Sequence, residues 1–426
     1  MSATWGFLFC ARIFDVRIES RGALFGFWLP LTIFYALCAL YAASMGGTTA
    51  AMRLDEYSHF TQIQRFLAGD FRILEFMTVT PGYHTVMAAL MRILGANSFV
   101  AARLINSGFG LLAVAAFHCL RRDAVGRNDF PATAQFAVLP IFLLLAFMVQ
   151  TDALSLALTL WSVWAAGRQR HWLAAILLLC AMCVRQNNVL WSVLIAWPVL
   201  RMAWRRDTPL QSASAIAWRL VPYAFVVSAF VVYWIANGSV SISQSSAKVH
   251  PDFSLHSGNL FYLMFVGSLL FVFPCLESWR RFVVDLRSRP WLVALPLGLA
   301  VLYVGTFEVD HPFNLLQPPD LRDALLIRVR ESASWYYAFG AVAVFGGVGL
   351  LWQKLQTKDA AIFWAVTVLF VSLSWLIEQR YYLIPFALFM AWRVPQSANV
   401  ERATLALWAP LAVLFFWGMM TGNLYI

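Results

Sequence analysis

Residues 132–166 read ATAQFAVLPIFLLLAFMVQTDALSLALTLWSVWAA. Two apolar runs are joined by a single polar step, Gln150-Thr151-Asp152. Each run comes close to the roughly 20 apolar residues that cross a hydrocarbon core. The stretch therefore predicts two membrane-crossing helices whose polar junction sits at one face of the bilayer.

The pattern extends in both directions. The chain is 61% hydrophobic and only 12% charged, against roughly 25% charged in a soluble domain, so it must be solvated by lipid. Apolar runs recur at about 23–45, 99–119, 132–149, 152–166, 172–184, 187–200, 218–236, 259–276, 290–306, 333–352, 360–376, 380–392 and 403–421. No repeat, low-complexity tract or long hydrophilic linker interrupts them. They predict an all-α polytopic fold of about 11–13 transmembrane helices, a single domain over residues 1–426 with outer loops at about 46–98, 237–257 and 307–332.

Basic residues orient the chain, because short Lys- and Arg-rich loops stay in the cytoplasm. With Arg12, Arg17 and Arg21 placed inside, 20 of the 31 basic but only nine of the 21 acidic residues fall on the inner side. The net charge of +10 is thus a topology signal and not a nucleic-acid footprint. The first twenty residues lack the apolar core and small-residue step of a cleavable signal peptide, so the first span is expected to serve as the anchor. All six cysteines fall in spans or on the inner side, where disulfides are not expected. The Cys180/Cys183 spacing lacks a second ligand pair.

The polar clusters collect on the outer side. Leu54-Asp55-Glu56-Tyr57-Ser58-His59-Phe60-Thr61-Gln62-Ile63-Gln64-Arg65-Phe66-Leu67, read as a helix, places Asp55, His59 and Gln62 on one face and Phe60, Ile63 and Leu67 in an apolar stripe. Such a helix is expected to lie along the membrane surface. Glu56 is turned about 100° from Asp55, so one carboxylate of the two points into a common site. The same loop continues to Thr80-Pro81-Gly82, a turn signal. Further clusters are Gln150-Thr151-Asp152, Arg185-Gln186-Asn187-Asn188, Asn237-Gly238 with Lys248, His250 and His256, His311-Pro312-Phe313, and Glu378-Gln379-Arg380-Tyr381-Tyr382.

Each cluster has a plain structural reading. Asp55 and Asp152 can cap helices, Arg185 and Arg380 can snorkel, and Glu378 with Arg380 can form an interfacial ion pair. Six clusters at the outer ends of separate spans together describe the lining of one cavity. Neither His59 with Asp55 nor His250 with His256 brings a third and fourth metal ligand. No nucleophile triad or Gly-rich phosphate loop is present. Carboxylate, Arg and His chemistry at a lipid surface remains, which fits acid/base catalysis with an anionic leaving group.

These residues, in this order, resemble the dolichyl-phosphate-glucose α-1,2-glucosyltransferases that add the terminal glucose of the lipid-linked oligosaccharide for N-glycosylation. The resemblance rests on Asp55-Glu56-Tyr57-Ser58-His59 with Gln62 and Gln64, Gly69-Asp70-Phe71, Thr80-Pro81-Gly82, Thr151-Asp152 with Ser155, Arg185-Gln186-Asn187-Asn188-Val189-Leu190-Trp191, Asn237-Gly238 with Leu260-Phe261-Tyr262, His311-Pro312-Phe313, and Glu378-Gln379-Arg380-Tyr381-Tyr382-Leu383-Ile384-Pro385. It runs collinearly from about residue 54 to 386. Departures are a missing proline in the turn and another after Glu378, the lost aromatic before His59, and the apolar continuation Asn314-Leu315-Leu316.

The resemblance implies a GT-C type enzyme that transfers a hexose, glucose in α-1,2 linkage, from a polyprenyl (dolichyl or undecaprenyl) phosphate to an oligosaccharide acceptor, itself lipid-linked. Its partners would be these substrates and membrane lipid, without nucleic acid, metal or cofactor. Its membrane would be the endoplasmic reticulum in a eukaryote or the inner membrane in a bacterium, with the site on the luminal or periplasmic side. Inversion of a β-linked donor in one displacement needs one base, for which Asp55 is the candidate and Glu56 the alternative. Arg380, Arg185 and His311 would bind the leaving phosphate, and His59, Gln62, Asp152, Gln186, Asn187, Glu378 and Tyr381 the sugar or acceptor. The rival readings are a polyprenyl-phosphate transferase of mannose or aminoarabinose to protein or lipid A, and a lipid or sugar transporter.

Overall fold

The computed structural model describes residues 21–45, 55–204, 210–316 and 321–424. Among these, every regular element is a helix apart from one isolated bridge between Leu355 and Arg393. Five helices are long and apolar enough to cross a bilayer: α1 (Arg21–Ser44), α4 (Phe99–Val125), α10 (Leu210–Asn237), α16 (Ala333–Leu351) and α19 (Ala398–Thr421). At about 1.5 Å per residue the 27 residues of α4 reach roughly 40 Å. The Ser98 side chain caps its first turn by accepting from Ala101 N, and Gly126 ends it at φ +77°, a left-handed conformation that glycine adopts without a Cβ clash.

The apolar runs are not all straight crossings. Residues 132–149 fold as α5 (Phe130–Ala137) and α6 (Pro140–Phe147), bent by 62°. Pro140 cannot continue the preceding hydrogen-bond ladder and starts a new helix in its place. The run at 259–276 contains a sharper break: α12 (Gly258–Leu270) and α13 (Val272–Ser288) meet at 100°. Beyond Cys275, α13 carries Glu277, Arg280, Arg281, Asp285 and Arg287, a density of charge that belongs at an interface. Counting each bent pair as one crossing gives seven by length and composition, and the remaining apolar runs form shorter helices such as α8 (His171–Val184), α14 (Ala294–Thr306) and α17 (Ala360–Ser372). The expected number of crossings is therefore reached only if these shorter helices also traverse.

The first outer segment forms α2 (Asp55–Leu67) and α3 (Gly82–Ile93). The apolar stripe of α2 is turned into the protein: Ile63 and Phe66 are buried against Tyr83, Met87 and Met91 of α3 and Phe99 and Ala102 of α4, with Phe60 and Leu67 at the margin. Protein takes the place that lipid was expected to fill. The entry to α3 requires a glycine, because a Cβ on Gly82 would lie 2.3 Å from the carbonyl oxygen of Cys183 at the end of α8. The Thr80-Pro81-Gly82 turn thus lets the loop press directly onto the chain just before Arg185.

Several helices share one polarity. The starts of α4, α7 (Asp152–Gly167), α12 and α18 (Leu383–Trp392) and the end of α8 lie at the end of the bundle that carries the outer clusters. At the opposite end of α4 and α18, Arg121 pairs with Asp129 at 2.8 Å and donates to Ala391 and Arg393 carbonyls, while Arg393 pairs with Glu401 at 2.5 Å and with Gln135. This buried network ties the far ends of α4 and α18 together.

Candidate active site

The site is built by three short backbone segments converging beside the first turn of α2. Residues 374–382 are shaped by two buried asparagines. Asn259 donates to the Ser374 and Leu376 carbonyls and accepts from Glu378 N and the Tyr382 hydroxyl. Asn314 donates to the Ile377 carbonyl and accepts from Ile377 N. Both backbone groups of Ile377 are thereby satisfied away from any regular element, and Arg380 is presented on a fixed 3-10 turn (Gln379–Tyr382). The second segment, Gln186–Leu190, is another 3-10 turn, anchored where Asn188 donates to Ser155 Oγ and the Ala181 carbonyl.

The third segment is the first loop itself. Gln186 stitches it down, donating to the Thr78 and Val240 carbonyls at 2.6 and 2.8 Å and accepting from Thr80 N. Residues 237–257 close the cavity from the far side, where Asp252 accepts from Val240 N and Trp234 Nε1.

Between these segments lies a cavity of about 290 Å³ whose wall includes Asp55, His59, Arg185, Asn187, His250, Arg380 and Tyr381. Its ionised groups form two pairs. Arg380 Nη1 stands 2.6 Å from Asp55 Oδ2, and Arg185 Nη1 stands 2.5 Å from Asp152 Oδ1. Asp55 is 52% exposed while Asp152 is 1% exposed, so only the former carboxylate is open to the cavity. The Arg380 guanidinium holds the Asp55 carboxyl down at about 2, against the opposing effect of desolvation, with His59 and Arg185 adding to the lowering. Burial pushes His59 down to about 4 and His250 to about 4. At neutral pH the cavity therefore offers the open Asp55 carboxylate, two arginines and two neutral imidazoles, while the second wall carboxylate, Asp252, is held by Val240 N, Trp234 Nε1 and Ser239 Oγ.

Behind Arg380 the charges continue to alternate. Glu378 Oε2 lies 2.8 Å from Arg380 Nε, and Glu378 Oε1 lies 3.5 Å from Arg322, which also binds Asp323 at 2.8 Å. Arg322 belongs to α15 (Leu321–Glu331) in the second outer loop and has no counterpart in the clusters read from the sequence. Among the described residues no three His, Cys, Asp or Glu side chains gather as a metal-binding group.

Several assignments made from the sequence require correction. Glu56 is 1% exposed and faces away from the cavity, bound by Arg103 Nε and Nη2 at 3.1 and 2.7 Å and by Val149 N at 2.7 Å. A carboxylate clamped by three donors has no room to take a substrate proton, so it is not the alternative base. Gln62 donates to the Arg72 carbonyl and accepts from Leu74 N, holding the loop after α2, and is not a sugar contact. Gln186 reaches the cavity wall with its amide already committed to backbone.

His311 spends both ring nitrogens inside the protein, Nδ1 accepting from Phe313 N and Nε2 donating to the Val249 carbonyl. Its neighbour His250, stacked on it at 5.4 Å, faces the cavity in its place. Asp152 and Glu378 stand behind Arg185 and Arg380 and orient them. Of the expected sugar contacts, His59, Asn187 and Tyr381 remain on the wall, Tyr381 beneath the Arg185 guanidinium at 5.6 Å.

Residues 49–214 and 201–391 match the family model described as the DIE2/ALG10 family. Among curated proteins, the chain is 23% identical to the Dol-P-Glc:Glc(2)Man(9)GlcNAc(2)-PP-Dol alpha-1,2-glucosyltransferase of Rattus norvegicus, covering 84% of this chain and 86% of that one. It is also 23% identical to the Arabidopsis thaliana protein of the same name, over 85% and 89%. Among solved structures, ArnT from Cupriavidus metallidurans bound to undecaprenyl phosphate aligns with a TM-score of 0.41 and 13% identity over 94% of this chain and 76% of that chain.

Proposed function

Since this chain belongs to the DIE2/ALG10 family, we propose that it is a multi-pass membrane glycosyltransferase of GT-C type that moves glucose from a polyprenyl-phosphate donor to a lipid-linked oligosaccharide, forming an α-1,2 linkage. The observation that carries the reading is the Asp55–Arg380 pair, an open carboxylate and a guanidinium 2.6 Å apart on one cavity wall. An inverting transfer needs those two groups: a base beside the attacking hydroxyl and a cation beside the departing phosphate.

In this mechanism the acceptor hydroxyl oxygen attacks C1 of the donor sugar while its proton passes to Asp55. The C1–O bond to phosphate breaks, and the bonding pair leaves with the polyprenyl phosphate. Inversion of a β-linked donor gives the α product in a single displacement. Arg380 and Arg185 receive the additional phosphate charge. In the free protein Arg380 also keeps Asp55 weakly basic, near a pKa of 2. When the donor phosphate engages Arg380, the guanidinium is shared between two anions and Asp55 recovers basicity. Base activation is thereby coupled to donor binding, which limits idle proton uptake.

The bundle end that holds the cavity is assigned to the luminal or periplasmic side, in keeping with the concentration of basic residues at the other end. The membrane is the endoplasmic reticulum if the chain is eukaryotic and the inner membrane if it is bacterial. Purified protein in detergent, given a panel of polyprenyl-phosphate sugars and a lipid-linked oligosaccharide, tests the reading by mass spectrometry of the product. A hexose added in the absence of any sealed membrane is the expected result. No product from any donor, together with substrate movement only across sealed vesicles, would replace the enzyme with a transporter.

A further inference from the structure

His84 lies outside every motif that carries the functional reading, yet it touches a wall residue of the cavity. It sits in the first turn of α3, 1% exposed, with its Nε2 at 2.9 Å from Nδ1 of His59, the ring planes 27° apart and the centroids at 5.1 Å. Tyr83 and Phe66 pack edge-on against His84. Burial drives the imidazolium form of both rings down, His59 to about 4 and His84 well below its ordinary value. Each ring therefore carries one proton at neutral pH, and two arrangements are open to the pair.

In the first, His84 holds its proton on Nε2 and donates it to His59 Nδ1. In the second, His59 donates from Nδ1, and His84 must carry its proton on Nδ1. That Nδ1 is buried and has no partner. The second arrangement buries an N–H with no acceptor, whereas the first leaves only a bare lone pair there, the more readily tolerated of the two orphans.

We propose that His84 is a positioning residue, which donates from Nε2 to His59 Nδ1 and so fixes His59 as an Nε2–H donor on the cavity wall. A proton on His59 Nε2 excludes that nitrogen as a base and leaves proton removal to Asp55, one helical turn earlier. The Nε2–H instead holds a hydroxyl oxygen of the substrate beside that carboxylate. The catalytic consequence rests on the proposed transfer reaction; the tautomer itself does not.

The experiment uses the full chain in detergent, labelled with ¹⁵N-histidine, with the His59 signals identified by their loss in His59→Gln. The expected spectrum has His59 protonated on Nε2 and bare on Nδ1; a protonated Nδ1 would overturn the proposal. This readout decides the tautomer even if no sugar donor proves active, which separates its failure from that of the functional reading. In the transfer assay, His84→Leu is expected to lower kcat about tenfold with little change in donor KM, the loss on the order of one oriented hydrogen bond. His84→Gln, whose amide N–H can donate to Nδ1, is expected to recover most of it. Equal losses in the Leu and Gln variants, or a Leu variant with lowered thermal stability but full kcat per folded molecule, would reduce His84 to a packing residue.

Discussion

Glu56 and Asp55 are adjacent in sequence, but the structure gives them opposite burdens, and Glu56→Gln separates them. The Glu56 carboxylate is clamped by Arg103 at 2.7 and 3.1 Å and accepts from Val149 N at 2.7 Å, while Arg103 also donates to the Ala42 carbonyl at 3.0 Å. Both side chains are at most 2% exposed. Neutralising the carboxylate leaves the Arg103 charge buried among neutral acceptors only, the Ala42 carbonyl and the new amide oxygen, and breaking a buried pair from one side costs about 3–5 kcal/mol. A second substitution, Arg103→Met, removes the stranded charge and is expected to restore a large part of that loss. The assay is the fraction of protein remaining monodisperse after a graded heat challenge in detergent, alongside turnover per folded molecule. The expected result is a marked loss of heat resistance in Glu56→Gln, partial recovery in the double variant, and turnover within a few fold of the parent. A Glu56→Gln protein as heat-resistant as the parent but inactive would refute the assignment and return Glu56 to the chemistry.

Arg380→Ala is expected to lower transfer about a hundredfold to a thousandfold, as removal of one donor from a developing anion does, with the largest effect at limiting donor; unchanged kinetics would make the Asp55–Arg380 contact a mere interfacial pair. The pH dependence of kcat/KM, which reports the free protein, should be flat from about pH 5 to 8. Asp55, lowered to about 2 by Arg380, stays ionised throughout that window, and His59 and His250, lowered to about 4, stay neutral. An inflexion near pH 6.5 would contradict this, because it would require an imidazole with its ordinary affinity for protons. The stability that Asp55 gains from Arg380 is likewise present above the unfolded carboxylate range and lost as pH falls from about 4 toward 2. His311→Leu should leave donor KM nearly unchanged and destabilise the packing of residues 237–257, since both its nitrogens serve Val249 and Phe313; a raised donor KM without loss of stability would restore it to the phosphate site.

The sequence exposes the membrane fold and the end of the bundle at which the polar clusters gather, because steps such as Gln150-Thr151-Asp152 interrupt the apolar runs on one side. It does not expose pairing. Asp55 meets Arg380, and Arg185 meets Asp152, across distances set by helix packing, which no local period encodes. Gln62 and Gln186 illustrate the same limit: a glutamine that braces a loop and one that reads a sugar are alike until the carbonyls around them are placed. A signal for Glu56 did exist in Arg103, a charge within the apolar run 99–119, which must be paired if it is to lie there. Breaks in the crossings were more legible. Pro140 announces one, and Pro274, three residues past Phe271, announces the other, since it cannot donate to the Leu270 carbonyl, which takes Trp408 Nε1 instead.

The central claim is that Asp55 takes the acceptor proton, and the most direct measurement is turnover of Asp55→Asn with saturating donor and acceptor, made beside its heat resistance. Asparagine keeps the size of the side chain and can still accept from Arg380 but cannot accept the proton, so transfer is expected to fall by at least about a hundredfold in a protein that folds as the parent does. Turnover within a few fold of the parent would contradict the account and remove Asp55 from the mechanism.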